Sequence, residues 1–140
     1  MTSFQNYLEN QMSTAVLLSI KPEFANAIFS GDKHFEFRKK IFKNEDAKKV
    51  YVYASAPISQ VIGHFEIDGI IEHQPQRLWK ETAIGAGITE KYFNEYFEGK
   101  DIGYALRVSK PLLFDTPRKL KEMFNISHPP QSFRYVPSTI

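Results

Sequence analysis

The chain has 140 residues, of which 42% are hydrophobic, 24% charged and 14% aromatic. These values exclude intrinsic disorder, a collagen-like repeat and a coiled coil. The absence of cysteine excludes disulfides, zinc knuckles and thiol catalysis. No apolar run reaches the ~18 residues of a membrane helix, and the first residues do not resemble a secretory signal. We therefore expect a cytoplasmic protein that uses no membrane, with residues 1–14 as a loose lead-in and residues 15–140 as a single domain.

The strand pattern is stronger than the helix pattern. Alternating or continuous apolar runs predict strands at residues 16–20, 34–38, 50–54, 61–71, 102–108 and 112–114. Proline or threonine start signals predict helices over residues 21–31, 89–97 and 116–124. Residues 76–88 are expected to form a helical turn and a loop, and residues 128–136 an extended tail. Strands and helices do not alternate regularly, which excludes a doubly wound sheet.

These elements predict an α+β fold that is mostly β. We expect a small bent β-barrel, antiparallel or mixed, with about five or six strands and short flanking helices. Gly63 and Gly69 fall inside the longest predicted strand, where glycine indicates a bulge or a sharp bend. The aromatic residues at positions 92–97 have helical spacing and are interpreted as core.

The positive charge is concentrated in one segment. The whole chain carries a net charge of +2, but residues 33–49 contain seven basic and three acidic residues, a surplus of four charges. The rest of the chain therefore sums to −2. Such a segment is either a contact surface for phosphates or a solvated loop.

Most common catalytic and metal-binding motifs are missing. The segment Gly85-Ala86-Gly87 lacks the residues that complete a phosphate-binding loop, and no Gly-x-Ser-x-Gly occurs. Histidine and glutamate share a strand face at positions 34 and 36 and again at 64 and 66, but isolated pairs of this kind are common on exposed strands. We therefore predict no metal and no cofactor.

Residues 31–38, Gly-Asp-Lys-His-Phe-Glu-Phe-Arg, match the pattern G-x-K-x-x-E-x-R and resemble the signature of the ASCH domain family. The preceding strand and helix, the glycine-containing strand at residues 61–67 and the tail at residues 129–135 are also similar to that family. The resemblance implies a PUA-like fold that binds RNA or nucleotides in a cleft beside Lys33, Glu36 and Arg38. Some relatives are hydrolases that cleave RNA or deacetylate acetylcytidine. The deacetylase pattern has threonine where this chain has Glu36, so its hydroxyl is absent here.

The motif residues have a chemistry of their own. Lys33 can bind a phosphate or an oxyanion, and Glu36 can accept hydrogen bonds from a base or act as a general base. Arg38 offers a planar fork for phosphate. Alternatively, Glu36 and Arg38 form an internal ion pair and Lys33 is a turn lysine. Strict alternation places Lys33 opposite Glu36, so both reach one cleft only if the strand begins after Lys33 or bends there.

Other ligand-binding candidates surround the motif in sequence or in the expected barrel. They are Lys21, Lys39, Lys40, Tyr53, Ser55, Trp79 and Arg134. Lys21 lies at the predicted start of a helix, which favours anions. Trp79 is a base-stacking candidate, although a core position is the more common role of a lone tryptophan.

Two functions follow from these residues. The first hypothesis is a module that binds single-stranded RNA or a modified nucleoside, in keeping with the small net charge. The alternative is a small hydrolase of RNA or of acetylated or other modified nucleosides, with Lys33 and Glu36 as the catalytic pair. A regulatory domain without a ligand is a third interpretation. The sequence does not predict an oligomeric state.

Overall fold

The structure is a computed structural model that describes residues 13–138. The lead-in predicted for residues 1–14 lies outside the described residues except for Ser13 and Thr14, and the sheet begins at Thr14. The elements in chain order are β1 (Thr14–Ile20), α1 (Pro22–Ser30), β2 (Phe35–Arg38), β3 (Lys49–Ala54), β4 (Gln60–His73), α2 (Pro75–Thr82), α3 (Glu90–Tyr96), β5 (Gly103–Arg118), α4 (Leu120–Phe124) and β6 (Phe133–Pro137). Within this range, no helix has the length and apolar character needed to cross a membrane.

The six strands form one mixed sheet in the order β2-β5-β4-β3-β1-β6. Strands β1 and β3 are parallel, and the other neighbours are antiparallel. The prediction of an α+β fold, mostly β, with about five or six strands and short flanking helices is confirmed. The bent sheet does not close into a barrel, because no ladder of the described residues joins the edge strands β2 and β6. Side chains bridge that gap instead: Arg38 Nη2 donates to the Ser132 carbonyl at 2.6 Å.

The long strands β4 and β5 bend through bulges. Their register shifts between Val61 and Gly63 and between Ile67 and Ile70, next to the two glycines of β4. At Gly63 a Cβ would collide with the Leu112 carbonyl oxygen and with the ring of Phe29. Only glycine fits this close approach.

The predictions for the end of the sheet need two corrections. The two strands predicted at residues 102–108 and 112–114 are one strand, and the helix predicted from Thr116 begins only at Leu120. Pro111 and Pro117 lie where the register with β4 is interrupted, and β2 pairs with β5 only as far as Arg107. Proline therefore costs no ladder hydrogen bond at either position, and the strand continues through both.

A third correction concerns the segment between β4 and α3. Residues 75–82 form a full helix rather than the single helical turn predicted there.

Three apolar clusters hold the elements together. The first joins α1 to the sheet, and the second lies under α4. The third packs Leu78 of α2 and Phe93 of α3 against Phe35 and Phe37 of β2. The phenylalanines of β2 thus face this cluster and leave Glu36 on the opposite face, as the alternation predicts.

Candidate functional site

A cavity of about 210 Å³ opens between the end of β1, the start of α1, β2 and α3. Its lining residues are Ser19, Ile20, Lys21, Phe24, Lys33, Glu36, Phe37, Arg38, Ile88, Tyr92, Tyr96 and Gln131. The structure therefore brings the three charged residues of the G-x-K-x-x-E-x-R motif together with Lys21. Polar groups that converge on a cavity with four aromatic side chains in its wall are typical of a ligand site.

Lys33 reaches the cavity because β2 begins only at Phe35. Gly31 caps the end of helix α1 in a left-handed conformation, and the next residues turn before the strand alternation starts. The Lys33 side chain is only 2% exposed, and its Nζ donates to the Ala86 carbonyl at 2.8 Å. Gly87 makes room for it, since a Cβ there would lie 2.5 Å from the Lys33 Cβ. The glycine-rich segment at residues 85–87 therefore holds a lysine and does not form a phosphate loop.

Glu36 lies in the same cavity with 6% of its surface exposed. Its Oε2 is fully buried and has no hydrogen-bond partner among the described residues. Burial raises the pKa of the Glu36 carboxyl, while the charges of Lys33 and Arg38 act in the opposite direction. A buried carboxylate oxygen without a partner is costly to maintain, and a hydrogen-bond donor that reached it would remove that cost.

Burial also displaces the pKa of Lys33, but downwards. Glu36 opposes that shift, and the ammonium group lies over the rings of Phe37 and Phe24, at 4.8 and 5.5 Å from their centroids. The pKa values of the acid and the base thus both move toward neutrality. Such a pair is common in sites that transfer protons.

Arg38 and Lys21 lie at the rim. Arg38 is half-buried and donates to the Ser132 carbonyl, and the ion pairs found among the described residues do not include one between Arg38 and Glu36. Lys21 is exposed and immediately precedes α1, and a hydrogen bond with Tyr92 raises the pKa of its ammonium group. The positive end of the α1 dipole adds to these two cations and favours an anion at the rim.

Sequence reasoning missed the two tyrosines of the cavity wall. The sequence predicts the aromatic residues at positions 92–97 as core, which holds for Phe93 and Phe97 but not for the half-buried Tyr92 and Tyr96 that line the cavity. The Tyr96 hydroxyl donates to the Phe37 carbonyl at 3.2 Å. The side-chain chemistry could have indicated the difference. The two phenylalanines lie on one face of the helix, and the two tyrosines, which carry a polar hydroxyl, lie on the neighbouring face.

The other candidates do not line this cavity. Tyr53 is buried in the second cluster, and Trp79 packs on Phe93 with ring centroids 5.0 Å apart. Ser55 follows β3, where its amide donates to the Ile20 carbonyl, and Arg134 is an exposed residue of β6.

The remaining two candidates, Lys39 and Lys40, are exposed just after β2. Lys39 lies over the ring of Tyr96, 4.5 Å from its centroid. This contact places Lys39 on the outer side of the cavity wall.

No group of three or more metal-ligating side chains occurs within residues 13–138. His34 Nε2 makes a hydrogen bond of 2.8 Å with the Gly31 carbonyl. His64 packs edge-on against Tyr51 and Phe114. The two histidine–glutamate pairs seen in the sequence therefore do not assemble into a metal centre in this part of the chain.

Comparison with known proteins adds four findings. A family model of the ASCH domain matches residues 18–111. An ASCH domain-containing ribonuclease of Zymomonas mobilis is 33% identical over 122 residues, which cover 86% of this chain and 82% of that protein. A crystal structure of ASCH from Zymomonas mobilis has a TM-score of 0.79 at 31% identity and covers 87% of each chain. The large ribosomal subunit protein uL22 of Ureaplasma parvum is 26% identical over 129 residues, 91% of this chain but 41% of that protein.

Proposed function

Because the chain belongs to the ASCH domain family, we propose that it binds single-stranded RNA by accommodating one unpaired nucleotide in the cavity. The observation that carries this proposal is Glu36, which lines a cavity with aromatic walls and two cations at its rim and whose buried Oε2 has no hydrogen-bond partner among the described residues. The cavity is smaller than the roughly 300–1,000 Å³ of sites for drug-sized ligands, which favours a single base.

Base recognition is assigned to the interior. Aromatic side chains of α1, β2 and α3 provide flat surfaces on which any base can stack. The Glu36 carboxylate accepts hydrogen bonds only, so it selects bases that present N–H donors, such as the amino group of cytosine. An unpaired nucleotide is required because bases in an RNA duplex do not expose this edge.

Phosphate binding is assigned to the rim. Arg38 uses one N–H for the Ser132 carbonyl, and its fork-shaped group has five N–H donors, which leaves others for a phosphate. Lys21 adds a second cation at the positive end of the α1 dipole. Arg38 is the last residue of β2, and Lys21 joins β1 to α1, so both rim cations are attached to regular elements of the fold.

Titration with nucleoside monophosphates and with a short single-stranded RNA tests the proposal. Glu36→Gln loses the negative charge of the acceptor and should weaken binding about tenfold or more. Arg38→Ala should weaken binding of the nucleoside monophosphate more than binding of the same nucleoside without its phosphate. Glu98→Gln changes an exposed glutamate and serves as the control. If no nucleotide and no RNA binds to the wild-type protein, the proposal is wrong.

Cleavage of RNA is the second candidate, favoured by the ribonuclease relative and by the opposite pKa shifts of Lys33 and Glu36. Glu36 would take the proton of the attacking hydroxyl as oxygen attacks phosphorus. Lys33 would give a proton to the departing ester oxygen. Each role needs a pKa near the working pH, which is the direction of each shift.

Single-turnover cleavage of an end-labelled RNA distinguishes the two candidates. If the protein cleaves, Lys33→Met and Glu36→Gln should each abolish the chemical step, and Lys33→Met should retain most of the affinity for RNA. A wild-type protein that binds RNA and leaves it intact contradicts the cleavage candidate and leaves the binding proposal standing.

A further inference from the structure

A second concave surface lies beside the cavity. It has a volume of about 620 Å³ and is mostly apolar, and we call it the lysine–aromatic groove. Its lining residues are Lys39, Lys40, Ile41, Lys43, Tyr104, Phe133 and Tyr135. All three lysines are exposed, and no acidic side chain contributes to the lining. The groove therefore combines aromatic surface with concentrated positive charge.

The groove is held in shape by contacts between distant parts of the chain. Its lysine-bearing wall follows β2 and is attached to β6, since the hydroxyl of Tyr135 accepts hydrogen bonds from the amides of Lys43 and Asn44 at 3.0 and 2.9 Å. Phe133 packs edge-on against Tyr135, with ring centroids 5.4 Å apart. These contacts give the groove a defined form before any ligand arrives.

The groove is adjacent to the cavity at two points. Lys39 of the groove lies over the ring of Tyr96, which lines the cavity. Arg38 of the cavity rim donates to the carbonyl of Ser132, the residue before Phe133. Arg38 is also paired with Tyr104 in the β2–β5 ladder. A ligand that leaves the cavity past Arg38 therefore meets the groove directly.

We propose that the lysine–aromatic groove binds the nucleotides of a single-stranded RNA that flank the one in the cavity. Tyr104, Phe133 and Tyr135 stack on bases, and the lysines neutralise phosphates. Aromatic rings between cations are how proteins bind single strands without reading their sequence. The inference rests on the proposed function, since the cavity accommodates one nucleotide and the strand must continue outside it.

Electrostatics provides the first test. Binding of a labelled single-stranded RNA of about ten nucleotides is measured by fluorescence anisotropy over a range of salt concentrations. Each neutralised phosphate of a single strand contributes ~0.7 to the slope of log affinity against log salt. The triple variant Lys39→Gln, Lys40→Gln, Lys43→Gln should therefore lower that slope by about 2. The control with Lys80, Lys100 and Lys121 changed to Gln makes the same charge change at exposed positions outside the groove and should leave the slope within about 0.7 of wild type.

Stacking provides the second test. Tyr104→Leu should weaken binding of the same RNA about tenfold, whereas Tyr104→Phe keeps the ring and should retain the wild-type affinity. Neither change of Tyr104 should affect binding of a nucleoside monophosphate, which needs only the cavity. For the lysines the same holds for the double variant Lys40→Gln, Lys43→Gln, because it leaves the contact between Lys39 and Tyr96 of the cavity wall in place.

The outcomes separate this inference from the proposed function. If RNA binding depends on Glu36 and Arg38 but not on the groove variants, the groove inference is wrong and the cavity proposal stands. If neither nucleotides nor RNA bind to the wild-type protein, both the groove inference and the proposed function are wrong. A polyglutamate peptide of equal length serves as competitor, and competition equal to that of unlabelled RNA would assign the groove to an acidic protein instead.

Discussion

The cavity and the lysine–aromatic groove place charges in opposite environments. In the cavity, Lys33 and Glu36 are almost fully buried, and burial displaces the pKa of both. In the groove, the three lysines are exposed to water. Interactions of buried groups depend on desolvation and pH, whereas those of exposed groups are screened by salt. Two neighbouring regions that take most of their charged residues from one short segment can therefore respond to different solution conditions.

Arg38 is the structural link between the two regions. Its side chain lines the cavity, and its hydrogen bond to the Ser132 carbonyl joins β2 to the start of β6, which carries two aromatic residues of the groove. We therefore expect a substitution in the cavity to leave the groove unchanged and a substitution in the groove to leave the cavity unchanged. A substitution of Arg38 should affect both regions.

The largest contrast is expected in the pH dependence of stability. Because the pKa of Glu36 is raised in the folded state, the Glu36 carboxyl stays protonated to a higher pH in the folded protein than in the unfolded chain. The free energy of unfolding should therefore fall as the pH rises from the ordinary value of 4.5 through the raised pKa. Urea titrations followed by the fluorescence of Trp79, the single tryptophan, should show this fall in the wild type and not in Glu36→Gln.

Lys33 should make the free energy of unfolding change with pH in the opposite direction. Its lowered pKa means that the unfolded chain binds more protons, so stability should rise with pH between the lowered pKa and the ordinary value of 10.5. Lys33→Met should remove that rise. A triple change of the groove lysines should alter neither slope, and a loss of either slope in that variant would contradict the distinction between the two regions.

Gly87→Ala tests the packing around Lys33. The residue has φ +69°, and a Cβ would lie 2.5 Å from the Lys33 Cβ, so backbone strain and overpacking should together cost about 2–4 kcal/mol. Gly99 also has a positive φ, but a Cβ there meets nothing within 4 Å. Gly99→Ala should cost only about 1–2 kcal/mol. If Gly87→Ala and Gly99→Ala lose equal stability in thermal or urea unfolding, Gly87 is needed only for its backbone conformation and not for the packing of Lys33.

Arg38→Ala should destabilise the protein by about 1.5–3 kcal/mol, the range for a hydrogen bond with a charged donor. It should also weaken both nucleotide binding in the cavity and the additional affinity from the groove. Arg134→Ala removes an exposed arginine from the adjacent strand and should stay within about 0.5 kcal/mol of the wild type. Urea unfolding and RNA titration of the two variants measure the difference.

The smallest effects are expected from two tyrosine hydroxyls. Tyr96→Phe removes a half-buried hydrogen bond to the Phe37 carbonyl and should cost about 1 kcal/mol. Tyr135→Phe removes an acceptor from two exposed amides, which water can replace, so its cost should be smaller. A greater loss in Tyr135→Phe would show that the groove contributes more to the fold than its exposure implies. Thermal unfolding resolves the order.

Local sequence patterns determined much of this molecule. The alternation at residues 34–38 predicted that Phe35 and Phe37 face the core and Glu36 faces the other side, because side chains of a strand alternate regardless of its partners. Pro22 and Gly31 predicted the limits of α1 through their backbone preferences. The motif with Lys33, Glu36 and Arg38, placed directly after a predicted strand and short helix, indicated the family, since all of these features lie in one continuous segment.

Only the tertiary structure decided which distant residues meet. Lys33 meets Ala86 across 53 residues, and Tyr135 meets Lys43 across 92; no local pattern encodes such pairs. The open edge of the sheet and the continuation of β5 through Pro111 were also missed, because each depends on which neighbouring strand is present at that point. The same holds for Tyr92 and Tyr96, whose helical spacing is equally compatible with core and cavity. Their role depends on what packs against the helix, and that is a property of the whole fold.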